Sequence, residues 1–102
     1  MMRLNIPKRF ITHTKICIIG GGTGGLNLST HLMRANVNPR DIRIFEPAQN
    51  HYYQPGWTMV GAGLCDSSLT RRTMDQVLPS QVYRTKERVA RVDAESNTIE
   101  TE

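Results

Sequence analysis

The sequence has little of what marks a thiol redox centre. Its two cysteines, Cys17 and Cys65, do not form a C-x-x-C pair, the spacing typical of a redox or metal-binding dithiol. Cys17 falls inside an apolar run, and we expect it to be a small buried core residue. Cys65 falls in a loop beside Gly63 and Asp66, without an adjacent histidine or cation that would activate its thiol. We therefore assign neither cysteine a redox role by default, and a reactive thiol at Cys65 stays as the open alternative.

Long apolar runs are also absent. None approaches the ~18 residues that a membrane-spanning helix requires, so the sequence predicts no integral membrane segment. The chain has 102 residues, which is one small domain at most.

Acidic residues are missing from the first 40 positions, which contain six lysines and arginines. Residues 1–14 (MMRLNIPKRFITHT) thereby have the composition of a mitochondrial presequence, although Pro7 interrupts any amphipathic helix. The alternative is a disordered start to the first strand, and both interpretations stay open. Nucleic-acid binding is not favoured despite the net charge of +4, because the basic residues after position 70 are mixed with acids and form no recognised binding motif.

A glycine cluster between two apolar runs is the strongest signal in the sequence. Residues 15–46 read KICIIGGGTGGLNLSTHLMRANVNPRDIRIFE, in which Gly20, Gly22 and Gly25 have the G-x-G-x-x-G spacing. The first glycine permits a tight turn out of the strand, the second lets a pyrophosphate approach the backbone, and the third lets the helix pack closely on the strand. The intervening Gly21 is formally free in this motif.

The context of the glycines supports a dinucleotide site. The N–H groups and dipole at the helix start favour phosphate oxygens, and Thr23 and Gly24 would sit against the ligand. Glu46 follows Gly25 by twenty-one residues, close to the ~20-residue offset of the ribose-binding acid in this fingerprint. Its carboxylate can accept hydrogen bonds from both ribose hydroxyls and would repel a 2′-phosphate. The alternative is a βαβ unit that binds no nucleotide.

The pattern predicts an α/β fold in which the two apolar runs pair as parallel strands. The helix between them is expected to lay a stripe of Leu28, Leu32 and Ala35 on the sheet. The other expected elements are a loop at 48–68, a short helix at 70–78, a strand at 82–85 and a β-hairpin at 88–102. A complete doubly wound dinucleotide fold needs considerably more chain, so we expect this to be part of a larger unit.

The segment HYYQPGW, residues 51–57, concentrates two tyrosines and the only tryptophan of the sequence. Such a segment packs flat against a planar ring, or its aromatic side chains cover the end of the sheet. The composition leaves both alternatives open.

These segments together resemble the N-terminus of mitochondrial-type sulfide:quinone oxidoreductases. The resemblance rests on GGGTGGLNLSTHL, IFEP and HYYQPGWTMVGAGL, followed by a short helix ending in LP and an R-V-x-x-V-D strand. It covers nearly all of residues 15–102. Many flavoproteins share the glycine motif and the ribose acid, whereas HYYQPGWTMVGAG is much more specific to this family.

The resemblance implies a Rossmann-like FAD/NAD(P)-binding domain, present as its N-terminal βαβ half with a truncated β-hairpin. It implies an enzyme associated with the mitochondrial inner membrane that oxidises hydrogen sulfide and passes electrons through FAD to a quinone. In that picture Gln54 lies toward the flavin and Val89 meets the adenine through its backbone, and no metal is implied. The expected FAD-binding residues are Gly20, Gly22, Thr23, Gly24, Gly25, Glu46, Gln54 and Val89.

In this family the redox cysteines, the second FAD motif and the quinone-binding region lie downstream of the matched positions. The resemblance therefore implies no catalytic residue in this chain, which should be inactive alone, and peripheral membrane association only through the missing C-terminal region. The alternatives are a related flavoprotein of the type II NADH dehydrogenase kind, and a truncated, non-catalytic product that at most binds a nucleotide or a partner.

Overall fold

A computed structural model describes residues 13–102 of the chain. All of the proposed presequence except His13 and Thr14 therefore lies outside the described residues. The elements in chain order are β1 (Ile16–Ile19), α1 (Thr23–Arg34), β2 (Ile42–Phe45), β3 (Asn50–Tyr52), α2 (Trp57–Gly61), β4 (Arg71–Thr73), α3 (Met74–Val77), β5 (Tyr83–Thr85), β6 (Val89–Asp93) and β7 (Thr98–Thr101).

The central sheet has three parallel strands in the order β1-β2-β5. Strand β1 pairs with β2 from Ile16 opposite Ile42 to Ile19 opposite Phe45, which confirms the predicted parallel pairing through α1. Its buried core consists of Ile18, Ile42, Ile44 and Val82. The α/β class is therefore confirmed, and the strand order is the one expected of the first half of a Rossmann-like sheet.

Helix α1 packs on this core through a different face from the one predicted. Leu28 is 48% exposed and Ala35 is exposed, so the stripe expected from apolar spacing is wrong at both positions. The reason is Gly25, whose backbone lies against Gly20 at the end of β1. Because of that contact, the residues about one and two helical turns after Gly25 face the sheet. These residues are Ser29, Leu32 and Met33, with Leu26 beside them.

The opposite face of the sheet has no covering layer within residues 13–102. Cys17, Arg43 and Tyr83 lie side by side there in register, and the Arg43 guanidinium stacks 4.4 Å from the centroid of the Tyr83 ring. Cys17 is exposed, so its prediction as a buried core residue is wrong. Partial burial still raises the pKa of the Cys17 thiol, and the positive charge of Arg43 lowers it to a smaller extent.

The segment predicted as a loop is partly regular. Strand β3 pairs antiparallel with β4, with His51 opposite Arg72, and α2 follows within the same stretch. The short helix predicted at 70–78 is only the four residues of α3. It begins later than predicted because Thr73 caps it in a reciprocal capping box with Gln76.

Strands β6 and β7 form a separate antiparallel hairpin around a turn at residues 94–97, as predicted. No helix in the part of the chain that the structure describes has the length and apolar character needed to cross a membrane.

Candidate functional site

The candidate site is built on the turn that joins β1 to α1. Gly20 has a φ of +100°, which an L side chain rarely tolerates, and its N–H donates to the Phe45 carbonyl at 2.9 Å. A Cβ at Gly25 would lie 2.0 Å from the Gly20 carbonyl oxygen. The turn and the close helix–strand contact predicted for these two glycines are therefore both present.

The start of α1 is open beside this turn. A Cβ added at Gly22 or Gly24 would meet nothing within 4 Å, so the surface around them has room for another group. Gly22 is the N-cap residue, and no side chain accepts a hydrogen bond from the first turn at that cap. N–H groups at a helix start that lack a side-chain cap suit an anionic ligand. Thr23 lies at the first position of the helix.

Gly21 has no such room. It is buried, and a Cβ there would lie 2.6 Å from Met74 Cε and 2.9 Å from Glu46 Cγ. The expectation that the motif leaves this position free is therefore wrong. In this chain a neighbouring helix, α3, and the acid at the end of β2 both pack against Gly21, which the local motif does not specify.

Glu46 lies directly after β2 with its carboxylate against the glycine turn. Its Oε1 accepts a hydrogen bond from the Gly21 N–H at 3.1 Å, and its Oε2 accepts one from the Ala48 N–H at 3.0 Å. An ionised carboxylate has about four acceptor positions, so capacity remains for the hydroxyls of a ligand. The two backbone bonds fix the direction in which that capacity points.

Glu46 also lines a cleft of about 460 Å³, within the range of ligand pockets. Its lining residues are Ile19, Gly20, Phe45, Glu46, Pro47, Ala48, Arg88 and Val89. The structure thus brings three of the predicted site residues, Gly20, Glu46 and Val89, to one cleft beside the open helix start.

Gln54 is not among the residues that line this cleft. It lies exposed in a 3-10 turn, Gln54–Gly56. The neighbouring Tyr52 and Trp57 are 45% and 49% exposed and make an edge-on contact at 6.3 Å between ring centroids. With Ser67, Ser68, Thr70 and Arg71 they line a second cleft, of about 350 Å³.

The sequence predicted no individual role for two residues that lie near the site. His51 is 8% exposed, and its Nδ1 lies 3.1 Å from the Gly21 carbonyl oxygen. The side chain of Arg84 is only 7% exposed; its Nε donates to the Glu46 carbonyl at 3.1 Å and its Nη2 donates to the Ala48 carbonyl. The one available signal for Arg84 was strand alternation, because Arg84 pairs in register with the buried Ile44.

The sequence of this chain is similar to known proteins over most of its length. Among curated proteins, it is 39% identical over 90 residues to the mitochondrial sulfide:quinone oxidoreductase of Mus musculus, an alignment that covers 88% of this chain and 20% of the mouse protein. It is 38% identical over 88 residues to the protein of the same name from Dictyostelium discoideum, with 86% and 20% covered. The corresponding protein of Schizosaccharomyces pombe is 31% identical over 87 residues, with 72% and 19% covered.

A solved structure has the same fold. The sulfide:quinone oxidoreductase of the hyperthermophilic bacterium Aquifex aeolicus superposes with a TM-score of 0.67 over 87% of this chain and 21% of its own, at 19% sequence identity. No family model matches the chain. The chain spans about one fifth of the length of the curated relatives that it matches.

Proposed function

Because the chain is homologous over most of its length to mitochondrial sulfide:quinone oxidoreductases, we propose that it forms the part of such an enzyme that binds the adenosine diphosphate half of FAD. The observation that carries this proposal is the position of Glu46. Its carboxylate is fixed against the glycine turn and borders the cleft that Gly20 and Val89 share.

The residues present fit that group. The open space at Gly22 and Gly24 has room for the pyrophosphate oxygens, and the uncapped start of α1 offers them N–H donors and the positive end of a helix dipole. Glu46 would accept from the ribose hydroxyls, and its charge disfavours a 2′-phosphate. Val89 would contact the adenine at the far side of the cleft.

We propose the same reaction for the complete enzyme as its relatives' name states, the oxidation of sulfide with a quinone as acceptor. FAD, when bound, supplies the two-electron carrier between them. The role of the described residues is to bind and orient the adenosine end. Gln54 remains proposed as a residue toward the flavin. Catalytic cysteines are proposed to lie outside this chain, since Cys17 and Cys65 are both free and do not form a C-x-x-C pair.

A mitochondrial location, with association to the inner membrane through regions outside this chain, is proposed on the same homology. Expression of residues 1–14 fused to a fluorescent protein would test the presequence part of the proposal. Import into mitochondria supports it, and a cytosolic fusion protein contradicts it.

The nucleotide site can be tested on the chain itself by NMR titration, which detects millimolar binding. AMP and adenosine 2′,5′-bisphosphate form a matched pair that differs only in the 2′-phosphate. We expect AMP to shift the amide signals around the glycine turn, Glu46 and Val89, with an affinity at least about tenfold above that of the bisphosphate. Equal affinities would refute the role of Glu46, and shifts confined to other residues would refute the site.

A further inference from the structure

The side chain of His51 is the one buried ring that touches the glycine turn in the described part of the chain. It projects from β3, whose pairing with β4 holds it in place, and it is 8% exposed. Its Nδ1 lies 3.1 Å from the Gly21 carbonyl oxygen. None of the roles proposed above uses this contact.

The chemistry of the contact determines which atom carries the proton. A carbonyl oxygen only accepts hydrogen bonds, so Nδ1 must be the donor. Both the Nδ1–H neutral tautomer and the imidazolium can make this bond, whereas the Nε2–H neutral tautomer cannot. The structure thus assigns a proton to Nδ1 of His51.

The carbonyl of Gly21 and the N–H of Gly22 belong to the same peptide unit. That unit is planar and trans, so its C=O and its N–H point in opposite directions. A hydrogen bond that fixes the carbonyl toward His51 consequently fixes the Gly22 N–H on the opposite side, at the open start of α1. On the other side of Gly21, its N–H is fixed in the same way by Glu46 Oε1.

We propose that His51 is a positioning residue of the phosphate site. By donating from Nδ1 to the Gly21 carbonyl, it orients the Gly21–Gly22 peptide so that the Gly22 N–H is aimed at the phosphate oxygens of a bound nucleotide. This inference rests on the proposed function. It adds that the phosphate-binding direction of a flexible glycine turn is set by a side chain from β3, the strand that pairs with β4.

Three variants separate this role from mere packing. In His51→Asn the amide nitrogen can occupy the place of Nδ1 and can still donate. In His51→Gln the donor is displaced to the place of Nε2, and in His51→Leu no donor remains. The ligands are ADP and adenosine, because adenosine can fill the cleft between Glu46 and Val89 but has no phosphate to meet the Gly22 N–H.

We expect the Gln and Leu variants to bind ADP about tenfold more weakly than the wild type, since a buried carbonyl loses its partner and the peptide is free to rotate. The Asn variant should stay within about threefold of the wild type, and adenosine should bind all four proteins equally. The ring ¹⁵N shifts of wild-type His51 should show a protonated Nδ1.

The outcomes are distinct. An unprotonated Nδ1, equal ADP binding by all variants, or an equal loss of adenosine and ADP in the Gln and Leu variants would overturn the role of His51. Failure of the wild type to bind ADP better than adenosine would overturn the proposed phosphate site, and this inference with it. If His51→Leu does not fold, the Asn and Gln pair decides, because these variants differ in where the donor lies.

Discussion

Substitution of the two adjacent glycines 21 and 22 by alanine should separate stability from binding. At Gly21 the new methyl group would lie 2.6 Å from Met74 Cε and 2.9 Å from Glu46 Cγ. Met74 Cε is the end of a flexible side chain, but Met74 is 1% exposed and so has little room to shift. Glu46 is held by two backbone hydrogen bonds and cannot move away without loss. Overpacking of this kind costs about 1–3 kcal/mol.

At Gly22 the same methyl group meets nothing within 4 Å. The backbone there, with φ −72° and ψ −171°, is extended and accommodates alanine. Because alanine is a poorer N-cap residue than glycine, the free energy of unfolding should fall, but by no more than about 1 kcal/mol. The methyl group would, however, occupy the space proposed for the pyrophosphate. We expect the affinity for ADP to fall roughly ten- to a hundredfold, because a displaced pyrophosphate would lose about one charge-assisted hydrogen bond to the turn.

Thermal unfolding followed by circular dichroism and ADP titration by NMR are the two assays. For a domain of this size, the cost at Gly21 corresponds to a Tm lower by roughly 5–20 °C. Gly24→Ala is a control for added volume, because it too adds a methyl group into open space, in the first turn of α1. Its Tm should be unchanged or higher, since alanine is the better helix former. Equal Tm values for the Gly21 and Gly22 variants, or full ADP affinity in Gly22→Ala, would refute this reasoning.

Four further outcomes are expected. Glu46→Ala should weaken nucleotide binding about ten- to a hundredfold, since charge-assisted hydrogen bonds are lost; unchanged affinity in the same titration would remove Glu46 from the site. Arg84→Met should lower the Tm more than Arg84→Lys, because the Glu46 and Ala48 carbonyls lose the donors of the buried Arg84 side chain in the first and keep one cation nearby in the second; identical melting curves would contradict this. Burial raises the pKa of Cys17, so less of its thiol is ionised at a given pH. In a Cys65→Ser background, iodoacetamide should therefore modify Cys17 more slowly at pH 8 than it modifies an unstructured cysteine peptide, and the difference between the two rates should shrink as the pH rises. Finally, residues 1–102 alone should retain no stoichiometric FAD after desalting, and a stable yellow protein would contradict this. They should also show no sulfide-dependent quinone reduction above that of free FAD, and turnover above that control would contradict this second expectation.

Local sequence was sufficient where a single element determines its own geometry. The apolar runs at β1 and β2, the positive φ of Gly20 and the close contact of Gly25 follow from a strand, a tight turn and a helix in succession. The hairpin of β6 and β7 follows in the same way from two short strands around a polar turn.

Prediction failed where the answer depended on a distant segment. The exposure of Cys17 depends on whether a second layer covers that face of the sheet, and no residue near Cys17 encodes this. The crowding at Gly21 comes from Met74, fifty-three positions further on, and the contact that His51 makes requires the β3–β4 pairing to be known first. The hydrogen bonds of Arg84 likewise require the register between β2 and β5.

The cleft beside Glu46 has walls from two different sheets, since Gly20 and Phe45 belong to the parallel sheet and its margin while Val89 opens the β6–β7 hairpin. A nucleotide bound in that cleft would contact both sheets at once. By thermodynamic linkage, a ligand that binds only when both walls are in place stabilises their joint arrangement by RT ln(1 + [L]/Kd). If the chain binds a nucleotide there, the stability of the β6–β7 hairpin would therefore depend on the nucleotide concentration, and the cofactor would contribute to the folding of β6 and β7.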